Sequence, residues 1–301
     1  MGRFLFILII LCCVSCKGKG SEIANFKRLL EQDSVMTSEQ LDLIYEKFKY
    51  FPDQTEISIA IIQNGIPSFY GVKRLKDSIV ATENHTKVFE IGSITKVFTA
   101  TILANFALDE KLKFDDAVNG YIDFPIKGGK EFSFKQLSNH TSGLSRLPSN
   151  LKETVTDQSN PYQNYDNIAL EDYLEHKLFL SQKTGEKYQY SNLGAGLLGY
   201  LLCEIDSTTY ESLLQKEILV NYGMMNTSTK REKVASKLVN GLDAEGKVTS
   251  NWDMTSLIGA GGILSTTEDL SKFVLENFNM DNEALNLTRR KTFEINKETT
   301  V

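Results

Sequence analysis

Cysteine is scarce in this chain and badly placed for cross-linking. Of four, Cys12, Cys13 and Cys16 fall at the extreme N-terminus and Cys203 stands alone in the body. A lone cysteine makes neither an intramolecular disulfide nor a thiolate zinc site, so neither braces the fold. Cys203 follows Leu201 and Leu202 in an apolar stretch and reads as a packing residue. Histidine is almost as rare: His85, His140 and His176 show no paired spacing for a metal, and no Walker pattern occurs. Positive charge is in deficit, with 33 Lys and Arg against 39 Asp and Glu, a net charge of −6. A pI near 5.3 with no long basic run argues against nucleic acid as the main partner. No internal repeat is visible.

What the chain does contain begins at its N-terminus. Arg3 precedes an unbroken apolar run over residues 4–14. That run is far short of the roughly 20 residues of a membrane-spanning helix, but it suits the apolar core of an export signal. It ends in Cys13-Val14-Ser15-Cys16, followed by the polar Lys17-Gly18-Lys19-Gly20-Ser21. The pattern resembles a bacterial lipobox, with Cys13 where such motifs carry Leu. We therefore expect residues 1–16 to be a signal peptide, Cys16 to be lipidated, and the protein to be an exported lipoprotein held on the periplasmic or cell-envelope side of a membrane. An ordinary cleaved signal with incidental cysteines is the alternative.

With 41% hydrophobic and 24% charged residues, the body is that of a folded globular protein. Residues 22–51 carry a helical period, with Leu41, Ile44, Tyr45 and Phe48 on one face. Residues 57–63 and 66–72 are β-rich and flank Asn64-Gly65, a strong hairpin turn. A short extended run at 88–91 ends at Gly92. Ser93 then opens a predicted helix to residue 108 whose apolar positions (Ile94, Val97, Phe98, Ile102, Leu103, Phe106, Leu108) go nearly all round, as in a core helix. From 109 to 253 the pattern is helices joined by polar loops. Ser265-Thr266-Thr267-Glu268 then reads as a capping box opening a helix to residue 278. Trp252, the only tryptophan, reads as packing.

Chemistry concentrates at two places. Ser93-Ile94-Thr95-Lys96 puts a lysine three residues after a serine, on the same helix face and within reach of its hydroxyl. A free serine is a poor nucleophile and needs an adjacent base; a helix N-terminus adds partial positive charge where an oxyanion would develop. Ser149-Asn150-Leu151-Lys152 has the same spacing but no buried helix behind it. Tyr190-Ser191-Asn192 directly precedes an apolar helix at 193–202, unlike Tyr162-Gln163-Asn164 and Tyr165-Asp166-Asn167 in the polar loop. A phenol beside an ammonium has its ionised form favoured and can act as a general base.

Ser93-x-x-Lys96, His140-Thr141-Ser142-Gly143-Leu144, Tyr190-Ser191-Asn192, and Gly261-Gly262-Ile263-Leu264-Ser265-Thr266 with Asp269-Leu270 together resemble the class C β-lactamase and related serine hydrolase family, over residues 56–273 and in the right order. The resemblance implies a β-lactamase/transpeptidase-like fold, α/β plus all-α: an antiparallel sheet flanked by helices, with a large helical insertion. Its implied division is a linker and N-terminal helices at 17–54, an incomplete α/β domain at 55–96 and 253–301, and a helical domain at 97–252. Carried over, Ser93 is the nucleophile, Lys96 its activating partner and Tyr190 the expected base, and the sequence leaves open which of Lys96 and Tyr190 takes the serine's proton. Asn192 orients substrate and lysine, the Ser93 backbone N–H is half of an oxyanion hole, and His140 shapes a loop. No cofactor or metal is implied. The expected partners are a small-molecule or peptidoglycan-peptide substrate and, through the anchor, a membrane.

The family's third motif, Lys or His before Thr-Gly or Ser-Gly on a strand beside the serine, has no counterpart in place. Lys183-Thr184-Gly185 comes too early, and Lys291-Thr292-Phe293 lacks the glycine that lets substrate lie along a strand. Residues 293–301 look like the approach to that strand, so we expect a longer natural chain, and little catalysis by one that stops at Val301. Gly194-Ala195-Gly196-Leu197-Leu198-Gly199 matches a dinucleotide fingerprint, but the polar Glu186-Lys187-Tyr188-Gln189-Tyr190 before it is no central strand, and close helix packing explains the glycines. The expected activity is acyl transfer through a Ser93 ester on β-lactam, D-alanyl peptide or ester substrates. The alternative is a lipid-anchored, catalytically weak or inactive penicillin-binding or sensor-like protein.

Overall fold

The computed structural model describes residues 35–76, 78–296 and 298–301. The signal peptide, Cys16 and the first part of the helix expected from residue 22 lie outside the described residues. Helix α1 (Ser38–Phe48) is fastened at its start by a reciprocal pair: the Gln40 N–H donates to the Thr37 hydroxyl at 3.2 Å, and the Thr37 N–H to the Gln40 side chain at 2.9 Å. Its buried Leu41, Tyr45 and Phe48 recur every three to four residues and meet Ile57, Ile59 and Ile61 of strand β1 (Glu56–Gln63). Tyr70 and Val72 of β2 (Ile66–Leu75) complete this small core. β1 and β2 form the expected antiparallel hairpin, and both turn residues are left-handed, Asn64 at φ 51° and Gly65 at φ 78°. A third strand, β3 (Ser78–Ala81), which the sequence pattern does not announce, pairs with β2 to give the order β1-β2-β3.

Strand β4 (Val88–Glu90) leads to the reactive region and is paired antiparallel with a strand from far along the chain, β7 (Leu264–Thr266). A short 3₁₀ turn (Gly92–Ile94) follows, and helix α2 (Thr95–Leu108) starts only after it. Ser93 therefore lies in that turn, not in the first turn of the α-helix as its apolar pattern suggests. α2 is also not buried all round. Phe98, Ile102, Leu103 and Phe106 enter the main core, but Val97 and Leu108 are 44% and 42% exposed, as is Ile94 in the preceding turn at 49%. Val97, Ala100 and Ala104 border an open groove of about 400 Å³ shared with Phe114 and Leu287. An apolar residue count along a helix says nothing about which neighbour covers each face.

Between α2 and β7 lie helices α3 (Phe134–Ser138), α4 (Leu151–Thr154), α5 (Asn167–Asp172), α6 (Asn192–Ile205), α7 (Tyr210–Leu214) and α8 (Arg231–Val234). This stretch also holds a hairpin of β5 (Gly241–Leu242) and β6 (Val248–Thr249), where the sequence pattern shows only helices and loops. Two-residue strands carry no readable alternation; here the Asp243 carboxylate accepts the Glu245 and Lys247 N–H groups and closes the turn. α6 is the centre of the main core. A Cβ at Gly196 would lie 2.6 Å from the Leu257 side chain, and one at Gly199 3.0 Å from Gly259 Cα, so the glycine run serves close packing inside a helix. Cys203, on the same helix, has its thiol pushed up to about 12, chiefly by burial.

Helix α9 (Thr267–Asn277) is capped by Thr266, whose hydroxyl accepts the Asp269 N–H at 3.0 Å. The expected cap, Ser265, lies one residue earlier, and its hydroxyl meets that of Thr227 instead. The reason is Asp269, whose buried carboxylate accepts the Asn226 N–H and Thr227 hydroxyl at 2.7 and 2.9 Å and so sets the helix one residue later. After α10 (Glu283–Thr288) the C-terminal segment folds back on itself, with the Thr292 and Phe293 N–H groups donating to the Val301 carbonyl. Trp252 is half exposed, with its ring edge-on to Tyr162 at 5.2 Å.

Candidate active site

Ser93 is held by a long-range stitch. The Ile91 N–H donates to the Ile263 carbonyl at 3.2 Å, extending the β4–β7 ladder, and the Ile263 N–H donates to the Thr95 hydroxyl at 3.2 Å. Gly92, at φ 51°, turns the backbone so that Ser93 stands at the head of α2. One turn on, the Lys96 ammonium donates to Ser93 Oγ at 3.1 Å and to the Ala260 carbonyl at 2.6 Å. Ala260 belongs to the segment that packs on α6. The same glycine-lined contact that builds the core thus aims a carbonyl at the lysine.

Tyr190 reaches the serine from the other side, its hydroxyl donating to Ser93 Oγ at 2.7 Å. Its position comes from the loop after α3, which accepts its neighbours' backbone groups one by one. The Gln189 N–H donates to the His140 carbonyl at 2.8 Å, the Ser191 N–H to His140 Nδ1 at 3.2 Å, and the Asn192 N–H to the Arg146 carbonyl at 3.0 Å. The Ser191 hydroxyl donates to the Ser145 carbonyl at 2.7 Å and accepts the Gly194 N–H at 2.8 Å, capping α6. Gly143 in that loop is at φ 79°, and a Cβ there would sit 2.3 Å from the Gln182 carbonyl oxygen, so no side chain fits. The His140-Thr141-Ser142-Gly143-Leu144 string is therefore a backbone cradle for the tyrosine segment.

The electrostatics follow from this packing. Burial pushes the Lys96 ammonium below its ordinary value; Tyr190 opposes that and the Arg146 charge adds to it. For Tyr190, partial burial pulls the phenol up, but the neighbouring Lys96 and Ser93 groups and the charges of Lys96 and Arg146 outweigh it, and the net shift is down. Burial first and Lys96 second push His140 down to about 4, so at neutral pH it is an uncharged acceptor for Ser191 and no general acid. Its ring lies 4.7 Å from that of Tyr190.

Of the residues expected from the sequence, Ser93, Lys96 and Tyr190 are brought into one hydrogen-bonded group. Asn192 opens α6 beside them, but its buried Oδ1 has no partner, and the Lys96 bonds go to Ser93 and Ala260. The Lys183-Thr184-Gly185 triplet is laid along the cradle, with the Gly185 N–H on the Thr141 carbonyl at 2.7 Å and the Lys183 ammonium on Glu186. Lys291 pairs with Glu294 at 2.8 Å, and the Thr292 hydroxyl accepts from Asn139 at 3.1 Å. Two participants escape sequence reading. Ala260 acts through its carbonyl, which no side-chain pattern reveals. Arg146, two residues past the cradle string, has its guanidinium carbon 5.2 Å from the Tyr190 ring centroid.

The Beta-lactamase family model matches residues 48–300, and the chain belongs to that family of β-lactamase-related serine hydrolases. A β-lactamase of Providencia stuartii is 29% identical over 198 residues, covering 64% of this chain and 47% of that one. A β-lactamase of Pseudomonas fluorescens is 31% identical over 244 residues, covering 79% of this chain and 63% of that one. The fold is shared with the β-lactamase/D-alanine carboxypeptidase of Yersinia pestis, at a TM-score of 0.68 and 22% identity over 85% of this chain and 73% of that one. The chain spans about half the length of the Providencia relative.

Proposed function

We propose that the protein is a serine acyl hydrolase working through a covalent ester on Ser93. The supporting observation is the Ser93 hydroxyl held between the Tyr190 phenol at 2.7 Å and the Lys96 ammonium at 3.1 Å. In this reading Tyr190 reacts as the phenolate, the form its neighbours favour. Ser93 Oγ bonds to the substrate's carbonyl carbon while its proton passes to the Tyr190 oxygen. The Ser93 backbone N–H at the head of α2 receives the oxyanion. On collapse the bond to the leaving nitrogen or oxygen breaks, and that atom takes the proton from Tyr190. Water then attacks the ester, giving up its proton by the same route and releasing Ser93. Lys96 keeps its charge throughout and holds the phenolate; Asn192 offers its unpaired Oδ1 to a substrate N–H.

The names of the relatives point to β-lactams and D-alanyl peptides as the substrate class. We read Cys16 as the lipid anchor that keeps this site at the cell envelope, which incorporation of labelled fatty acid by the wild type and not by Cys16→Ser would test. The main test is reaction of the full chain with a fluorescent penicillin. We expect label on the peptide containing Ser93 and none in Ser93→Ala. Lys96→Ala and Tyr190→Phe should slow labelling about 10²–10⁴-fold. Release of opened penicillin marks a hydrolase, whereas stable label marks a binder or sensor. Folded protein that takes no label from excess penicillin refutes the covalent reading.

A further inference from the structure

Tyr190 stands beside two positive charges, those of Lys96 and Arg146. Facing its ring and hydroxyl are Lys96 and Ser93 from the head of α2, His140 and Arg146 from the loop after α3, and Tyr188 from its own segment. Lys96 lies 4.8 Å from the ring centroid but is committed to Ser93 and Ala260. His140 is neutral and turned to Ser191. Arg146 differs from both. Its side chain is exposed, it has no carboxylate or carbonyl partner among the described residues, and its guanidinium carbon lies 5.2 Å from the centroid of the Tyr190 ring, while its charge is also felt at Tyr162. Its own backbone carbonyl meanwhile accepts the Asn192 and Leu193 N–H groups, which ties the base of its side chain to the segment that carries the phenol.

We propose that Arg146 is a positioning residue for Tyr190: its guanidinium lies over the phenol ring, keeps the hydroxyl on Ser93, and supplies a second positive charge to the site. A cation over an aromatic face is attracted to the ring and gains more when that ring's oxygen is ionised. Lys96 is bound to the same serine that must lose a proton and to the Ala260 carbonyl. A guanidinium carries its charge without giving up a proton, and that of Arg146 makes no hydrogen bond to Ser93. It is thus suited to helping Lys96 hold Tyr190 in its acceptor form. The downward shift of Tyr190, to which Arg146 contributes, agrees with this placement.

The inference rests on the Ser93 acyl-enzyme reading only for its kinetic consequence, and its test separates the two. Protein carrying ¹³Cζ-tyrosine is titrated by NMR, with the Tyr190 resonance assigned by Tyr190→Phe. Arg146→Met keeps the apolar stem and removes the charge; Arg146→Lys keeps a charge. We expect the Tyr190 midpoint to rise by roughly half a pH unit in Arg146→Met. Arg146→Lys should recover most of that change. The rising limb of penicillin labelling against pH should move by the same amount in the same variants. A Tyr190 midpoint that is the same in wild type and Arg146→Met overturns the proposal. A midpoint that moves in a protein never acylated at Ser93 upholds Arg146 and removes the hydrolase reading instead. Circular dichroism of each variant excludes unfolding as the cause, and the exposed side chain makes that loss small.

Discussion

Glu211 offers the sharpest test of how the scaffold holds the nucleophile. It lies in α7, with its side chain 6% exposed, and both carboxylate oxygens are saturated. Oε1 accepts the Ser228 hydroxyl at 2.8 Å, the Lys233 ammonium at 2.9 Å and the Gln215 amide at 3.3 Å; Oε2 accepts the Thr229 N–H at 2.7 Å and the Thr229 hydroxyl at 2.8 Å. Ser228 in turn exchanges backbone bonds with Leu264 at 3.0 and 2.9 Å, and Leu264 pairs with Glu90 just ahead of Ser93. A chain of contacts therefore runs from one carboxylate to the strand that delivers the serine. Burial alone would raise the Glu211 carboxyl, but these donors hold it down to about 2 from an ordinary 4.5. By linkage that shift stabilises the folded state by about 3 kcal/mol at neutral pH. The folded value lies below the unfolded one, so the stabilisation is complete above about pH 4.5 and is lost as pH falls towards 2.

Glu211→Gln keeps the shape and removes the charge, and its amide cannot accept from all five donors. We expect urea unfolding to show a loss of about 2–3 kcal/mol at pH 7. The difference from wild type should shrink between pH 4.5 and 2 as wild-type Glu211 itself becomes protonated. A pH-independent difference, or one below about 0.5 kcal/mol at pH 7, would refute the view that charge-assisted bonds anchor this segment.

Other consequences can be checked as directly. Gly196→Ala drives a methyl group to 2.6 Å from Leu257 and 2.8 Å from its Cα, so it should cost about 1–3 kcal/mol and lower Tm, whereas an unchanged Tm would mean the α6 contact is loose. The His140 imidazole should titrate near 4 by NMR, with stability lost as pH falls from about 6.5 towards 4 because the unfolded chain takes up that proton first. A midpoint at 6 or above would show that His140 is not the buried acceptor for Ser191.

Legibility in the sequence differed sharply between local and long-range features. The β1–β2 hairpin was readable because Asn64-Gly65 carries its own backbone preference. The start of α9 was misplaced by one residue because two adjacent hydroxyls, Ser265 and Thr266, could each cap it, and only the distant Asn226 and Thr227 draw Asp269 into place. α2 looked buried all round, yet Val97 and Leu108 stay exposed, because the covering of a helix face is a property of its neighbours. Arg146 carried no signal at all: a single arginine has no spacing to read.

By itself the amino-acid order determined which residue types could do chemistry and where their local backbone would turn. Ser93 and Lys96 stand one turn apart whatever surrounds them, and Gly143 accepts a conformation other residues avoid. Tertiary structure alone decided that Tyr190, 97 positions away, would close on Ser93, that the Ala260 carbonyl would receive Lys96, and that Arg146 would lie over the phenol. Spacing along a helix is set by covalent geometry and nearest-neighbour hydrogen bonds. Contacts between remote segments exist only after α6, the Gly143 cradle and the β4–β7 pair have packed, and a linear pattern contains no distance of that kind.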